Sequence, residues 1–198
     1  EGEGLLLAGR AGYDFSSERL AGKLKLDSSD LAGLLALAGI RGAGGMAVLD
    51  ASFSGNLGHP RADLTLSGEE LAYAGYRLGS IRLEGTLDDS GALALNSLSL
   101  ENRQSRAGIR GRIGLLQYQP GGYPRISRSF PLELTIDLDS FDPVDFLPGE
   151  DLQGRLNGSI SAEGSLASPR FQASLEGKEI VARGFPIGNA AAGFEFSG

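Results

Sequence analysis

GMAVLDASFSGNLGHPRADLTLSGEELAYAGYRLGS, residues 45–80, comes back near the C-terminus as GRLNGSISAEGSLASPRFQASLEGKEIVARGFPIGN, residues 154–189. A constant offset of 109 pairs Ser52 with Ser161, Gly55 with Gly164, Leu57 with Leu166, Pro60 with Pro169 and Arg61 with Arg170. The same register pairs Leu66 with Leu175, Gly68 with Gly177, Glu70 with Glu179, Gly75 with Gly184 and Gly79 with Gly188, and it needs no gap. A unit that recurs in this way is one that stacks on its neighbour to bury its apolar face. The duplication therefore speaks to architecture before any single residue does.

Inside the stretch, apolar residues fall at every second position, the period of a strand with one wet side. Ala47, Leu49, Ala51 and Phe53 alternate with Val48, Asp50 and Ser52; after GNLGHP, Ala62, Leu64 and Leu66 alternate with Arg61, Asp63 and Thr65. A glycine turn leads to Leu71, Ala74-Gly75 makes a hairpin, and Ile81 and Leu83 follow with Arg82 and Glu84 on the other side. Further out, Asp88-Asp89-Ser90-Gly91 turns the chain into ALALNSLSLEN with Leu93 and Leu95, after which Ile109 and Ile113 alternate with Arg110 and Arg112. In the second copy the inward set is Leu156, Ile160, Phe171 and Leu175. Gly55, Pro60, Gly68, Gly75 and Gly79 are placed at turns. Strands joined by short turns predict an antiparallel meander.

Ahead of the first copy, RLAGKLKLD sets Leu20, Leu24 and Leu26 against Ala21, Lys23 and Lys25. Its counterpart PLELTIDLD, at an offset of 112, sets Leu134 and Ile136 among Glu133, Thr135 and Asp137. Each runs through Asp-Ser-x-Asp into a short helix, predicted at 30–38 and 142–147. Asp142 as N-cap, Pro143 at the first helical position and Asp145 in the first turn make a helix start that satisfies orphan N–H groups. The predicted organisation is all-β with two short helices, built from repeats of about 110 residues. Residues 1–19 end a preceding repeat, 20–131 form one repeat that closes in a loop at 117–131, and 132–198 form a truncated second.

Composition narrows the function. The net charge of -7 argues against a nucleic-acid binder, which needs cations to displace phosphate counterions. Cysteine is absent and histidine occurs once, so with no G-x-S-x-G elbow no catalytic constellation assembles, and neither an enzyme nor a bound cofactor or metal is expected. No run approaches the roughly 20 apolar residues of a membrane span. EGEGLLLAG has neither Met nor a basic n-region, and the second copy stops where the first continues into ALALNSLSLEN; the expectation is a soluble piece of a longer repetitive protein.

Two short helices cannot cover one face of so many strands. That face either closes on itself, as a sandwich or filled solenoid core, or is filled by something apolar. Each buried methylene is worth roughly 0.8 kcal/mol, so an acyl chain of about fifteen methylenes would cost on the order of 12 kcal/mol to carry through water. A continuous Leu/Ile/Ala trough removes most of that barrier.

The order G-x-L-x-x-P-R, an alternating strand, G-[EK]-E-[LI], G-[YF]-x-[LI]-G and a further strand, preceded by the D-S-x-D helix, resembles the repeats of the TamB and AsmA-like envelope proteins over nearly the whole chain. The resemblance implies an elongated antiparallel sheet curled into a half-pipe, the β-taco, with an apolar concave face that carries phospholipid acyl chains. It also implies a periplasmic location with the full-length protein anchored in the bacterial inner membrane, lipid transport between the two membranes, and an outer-membrane β-barrel partner of the TamA type reached through other parts of the protein. The rival expectation is a scaffold that assists assembly and secretion of outer-membrane β-barrel proteins and autotransporters through its open sheet edges.

The remaining motifs read as structural or leave alternatives. His59 beside Pro60 reads as a turn residue, since Ser168 takes its place in the second copy. Arg103, Arg106, Arg110, Arg112, Arg125 and Arg128 are either outward strand residues or a rim for lipid phosphate. Asp137, Asp139, Asp142, Asp145, Glu150 and Asp151 lack the spacing of a calcium loop. GIRGAGG, 39–45, reads as a connector, because it lacks the Lys-Ser/Thr of a phosphate loop.

Overall fold

The computed structural model describes residues 4–32, 42–56, 58–118, 125–127, 129–146 and 152–197. Eleven strands form one antiparallel sheet: β1 (Leu5–Asp14), β2 (Arg19–Ser28), β3 (Ala43–Asn56), β4 (His59–Tyr73), β5 (Tyr76–Leu87), β6 (Ala92–Asn102), β7 (Ser105–Gly114), β10 (Pro131–Phe141), β11 (Leu152–Ser165), β12 (Ser168–Ala182) and β13 (Phe185–Ser197). They lie in chain order, interrupted only by β8 (Leu116–Gln117) and β9 (Arg125–Ile126), which pair with each other as a separate small sheet. Helix α1 (Pro143–Phe146) follows β10.

Among the described residues every strand except β8 and β9 belongs to this one sheet, so no second sheet of long strands is present to pack on it. The accessible surface makes the same point. It is 12878 Å² for 20.6 kDa, against roughly 8,900 Å² for a compact monomer of that mass. Burial is confined to small or sheltered side chains, such as Ala47, Leu95, Ala107, Phe146, Ala162, Ala173 and Ile180. The closed sandwich that the apolar face also allowed is therefore not the fold.

Local chemistry explains the turns. Asp14 accepts from Ser16 N and Ser16 Oγ at 2.8 and 2.7 Å and from Ser17 Oγ at 2.7 Å, closing the β1–β2 turn. These bonds pull its carboxyl down to about 2, the Ser16 hydroxyl first among them. Asn56 Oδ1 accepts from His59 N at 2.6 Å, and 109 residues on Ser165 Oγ accepts from Ser168 N at 3.2 Å. Pro60 and Pro169 are each the second residue of their strand, where a missing N–H is tolerated.

Three sequence expectations change. Gly55, Gly68 and Gly79 lie inside β3, β4 and β5, and only Gly75 sits at a turn. What the glycine before Leu71 marks is a β-bulge: the β4–β5 register shifts between Gly68 and Leu71, and Glu70 adopts φ 53. A bulge needs one residue off the extended region without ending the strand. The stretch predicted as a loop at 117–131 contains β9 and the end of β8, because Gly91 O accepts from Leu115 N and Leu116 N at 2.9 Å and Ser127 N donates to Leu115 O at 2.7 Å. Of the helix predicted at 30–38, Leu31 and Ala32 are helical, with Ala32 N donating to Asp30 Oδ1 at 3.0 Å; the rest lies outside the described residues, as do Leu147 of the second helix and most of the 39–45 connector.

The offset of 109 carries into the backbone. Gly45 and Gly154 have φ 111 and 119, Gly55 and Gly164 105 and 103, Glu70 and Glu179 53 and 54, Ala74 and Arg183 52 and 50. Gly75 and Gly184 have φ 88 and 78, Gly79 and Gly188 76 and 83.

Candidate functional site

In an antiparallel pair, residues directly opposite one another point to the same face. Following that rule strand by strand builds a single apolar face. Leu20, Leu24 and Leu26 of β2 oppose Gly55, Ala51 and Leu49, and Ser28 opposes Ala47. Phe53, Ala51, Leu49 and Ala47 then oppose Ala62, Leu64, Leu66 and Gly68. The row continues through Leu83 and Ile81 of β5, Leu93, Leu95 and Leu98 of β6, and Ile109 and Ile113 of β7. It crosses into Leu134 and Ile136, then Ile160, with Leu156 opposite Phe141, and ends in Phe171, Leu175 and their β13 neighbours Phe196 and Ala192. Leu71 joins across the bulge, since a Cβ at Gly68 would lie 2.9 Å from its Cδ1.

All twenty-three residues that the sequence reading assigned to the apolar face thus share it, and none is exposed. Ala47 and Leu95 are buried and the others are half-buried. Large and small residues alternate across it: Phe53 lies over Gly22, Leu95 faces Gly85 and Gly111, and Leu175 faces Gly158. Small side chains sink between larger ones, so that Ala107 and Ala162 are only 5% and 3% exposed.

Across the sheet, the other face is polar and salt-bridged. The basic and acidic runs meet there: Arg110 pairs with Asp137 at 3.0 Å and Arg106 with Asp139 at 3.6 Å across β7–β10, while Arg112 reaches Asp88. Arg103 bonds Asp145 at 3.0 Å. Four of the six arginines therefore answer carboxylates; Arg125 is exposed on β9, and Arg128, Glu150 and Asp151 lie outside the described residues. Among the described residues no acidic cluster has the makings of a metal site. A cleft of about 600 Å³ on the polar face brings Arg10, Lys23 and Lys25 near Asp50 and Asp63. Sequence reasoning missed it, because only cross-strand register places Arg10 opposite Lys23.

At one end of the sheet, α1 closes over the strands. Asp142 caps it through Val144 N at 3.1 Å, as the sequence predicts. Asp145 has a tertiary role: its carboxylate accepts from Ser105 Oγ at 2.6 Å and from Arg103, while Asn102 Nδ2 donates to its carbonyl. Ser105 Oγ in turn accepts from Asp142 N at 2.8 Å, and Phe146 stacks on Phe141 at 4.8 Å. At the opposite end His59, the first residue of β4 rather than a turn residue, lies with its ring tilted against Tyr118 at 4.4 Å and bonds Asp89 O at 3.1 Å. Burial, then the charges of Asp88 and Asp89, raise the Tyr118 phenol above its ordinary value. Arg61 bonds Asp89 beside it.

Among the described residues no helix is long and apolar enough to cross a membrane. Neither a family model, nor a curated protein, nor a solved structure matches this chain.

Proposed function

We propose that this chain is a segment of a TamB/AsmA-like conduit that carries phospholipid acyl chains along its apolar face between the inner and outer membranes of a bacterial envelope. The observation that carries the reading is a sheet whose one continuous face, from β2 to β12, is Leu, Ile, Ala, Phe and Gly, with no second sheet of long strands among the described residues to cover it. A soluble sheet facing water on one side ordinarily covers the other with a second layer. Here something apolar from outside takes that place, and a disordered acyl chain asks for width and continuity alone.

A half-pipe with this face concave is supported by its glycines, which stand opposite leucines and Phe53 and would relieve the crowding that concave curvature imposes. The matching φ values at an offset of 109 support a repeat of about 110 residues that extends the trough. In this reading the chain works in the periplasm as part of an inner-membrane-anchored protein with a TamA-type barrel as partner, and no residue does catalysis.

A photo-crosslinking side chain at Leu49, Leu64 or Ile109, exposed to vesicles of phosphatidylethanolamine and phosphatidylglycerol, is expected to give lipid adducts; at Arg82 or Arg110, on the other face, it gives none. Adducts at neither set, or equally at both, overturn the proposal. Leu64→Asp or Ile109→Arg blocks vesicle-to-vesicle lipid transfer while the protein is still secreted.

A further inference from the structure

On the polar face the two blocks carry charge differently at matching positions. In the second block β7 and β10 form a ladder of opposite charges: Arg106 answers Asp139, Arg110 answers Asp137 and Arg112 stands opposite Glu133. In the first block β1 and β2 take those places, and Arg10 stands opposite Lys23 as Arg110 stands opposite Thr135. Lys25 holds the place of Asp137 at the offset of 112. The carboxylate that would answer Arg10 is thus replaced by another cation. Among the described residues Arg10, Lys23 and Lys25 form no ion pair.

Like charges directly opposite one another weaken a strand pair, so this arrangement costs stability that the second block does not lose. The three cations also lie close enough to share one anion. Arg10 and Lys23 are about 5 Å apart at their Cβ atoms, and Lys25 follows about 7 Å along the same face. The far wall of the same cleft, of about 600 Å³, is acidic, with Asp50 and Asp63. Asp50 stands opposite Lys25, where the cationic end meets the anionic one, and Ser52 Oγ and Thr86 Oγ1 each donate to the Asp63 carboxylate at 3.4 Å. The backbones of β2 and β4 are about 10 Å apart, which leaves room for a small molecule between the two ends.

We propose that this cleft binds a small zwitterion, its phosphoryl group held by Arg10, Lys23 and Lys25 and its ammonium by Asp50 and Asp63. A phosphoryl group suits the cationic end better than a carboxylate, because its three terminal oxygens accept from three donors at once and it carries the larger charge. The volume is that of an ordinary small-ligand site. The site lies on the polar face, so it stands whether or not acyl chains occupy the other.

Phosphoethanolamine, a small molecule with both groups, is the probe, titrated calorimetrically in low salt, where exposed charges are least screened. The expected result is saturable binding. Lys23→Thr with Lys25→Gln weakens it about tenfold, and Asp63→Asn weakens it while leaving the binding of inorganic phosphate unchanged. In a melt without ligand the double variant unfolds no earlier than the wild type, since it removes the opposed like charges. Absence of saturable binding, undiminished binding by the folded double variant, or binding of phosphoethanolamine that ignores Asp63→Asn overturns the proposal. Sedimentation with vesicles containing phosphatidylethanolamine separates the sources of the ligand. Binding of the free probe alone supports a soluble zwitterion, and vesicle binding lost in the double variant supports a lipid headgroup; vesicle binding that survives the double variant overturns the site.

Discussion

The blocks β2–β5 and β10–β13 have the same order, near-equal strand lengths and the same glycine conformations, yet they part company at one junction. β2 pairs with β3 without interruption from Arg19↔Asn56 to Ser28↔Ala47. In β10–β11 the register shifts between Leu138 and Phe141: Asp139 and Ser140 bulge out, Ser140 adopts φ 50 and its N–H donates to Asn157 Oδ1 at 2.9 Å, and Gly158 adopts φ 139 where its counterpart is Leu49. The bulge rotates Phe141 onto Phe146 and seats α1 on the β6–β7 turn. The lesson is that the two blocks share the geometry of strands and turns, whereas among the described residues the bulge at Asp139 and Ser140 belongs to the second block alone.

The largest break in this comparison is expected from Gly158→Leu, which gives the second block the residue of the first. A side chain at φ 139 is strained and its Cβ would run into Ser174 O, so unfolding stability falls by about 3 kcal/mol, read as a lower urea midpoint. Leu49→Gly, the converse change, removes only a half-buried side chain and costs about 2 kcal/mol. Equal losses would mean that the bulge does not distinguish the blocks. Next comes Asp145→Ala, which frees α1 from Ser105 and Arg103 and lowers stability by roughly 2 kcal/mol in a thermal melt. No change would show that Phe146 stacking alone holds the helix.

The smallest effect is a pH dependence confined to the first block, whose β5–β6 turn has Asp88 where the second block has Ser197. The Ser90 hydroxyl, then the Ala92 and Ser90 amides and the Arg112 charge, outweigh desolvation and hold the Asp88 carboxyl below its usual range. A depressed carboxylate contributes stability that is complete above its unfolded pKa of about 3.9 and is lost as pH falls through the folded value. Between pH 5 and pH 3 the urea midpoint therefore drops less for Asp88→Asn than for the wild type. Parallel decreases would remove Asp88 from the acid response.

Much of this fold was legible in the chain itself. Alternation such as Leu64-Thr65-Leu66 fixes the strand and its apolar side, because successive side chains must point to opposite faces. The offset of 109 located matching turns and strands, and Asp142-Pro143 announced a helix start, since those signals are local. The glycines misled: Gly55, Gly68 and Gly79 read as turns, yet Gly55 lies in an unbroken register, and the bulge that Gly68 and Gly79 flank is defined only by a partner strand. The candidate site was likewise legible as a list of apolar positions but not as a surface.

By itself, then, the sequence determined which residues are apolar together, where the chain reverses and how often the pattern recurs, all of which follow from backbone geometry and near neighbours. Tertiary structure alone decided that the apolar rows join into one face with no second sheet of long strands among the described residues, that Asp137 and Asp139 answer Arg110 and Arg106, and that Asp145 binds a turn some forty residues away rather than its own helix. Those outcomes depend on the register between strands far apart in the chain, and a slip of one residue would have sent every side chain to the opposite face.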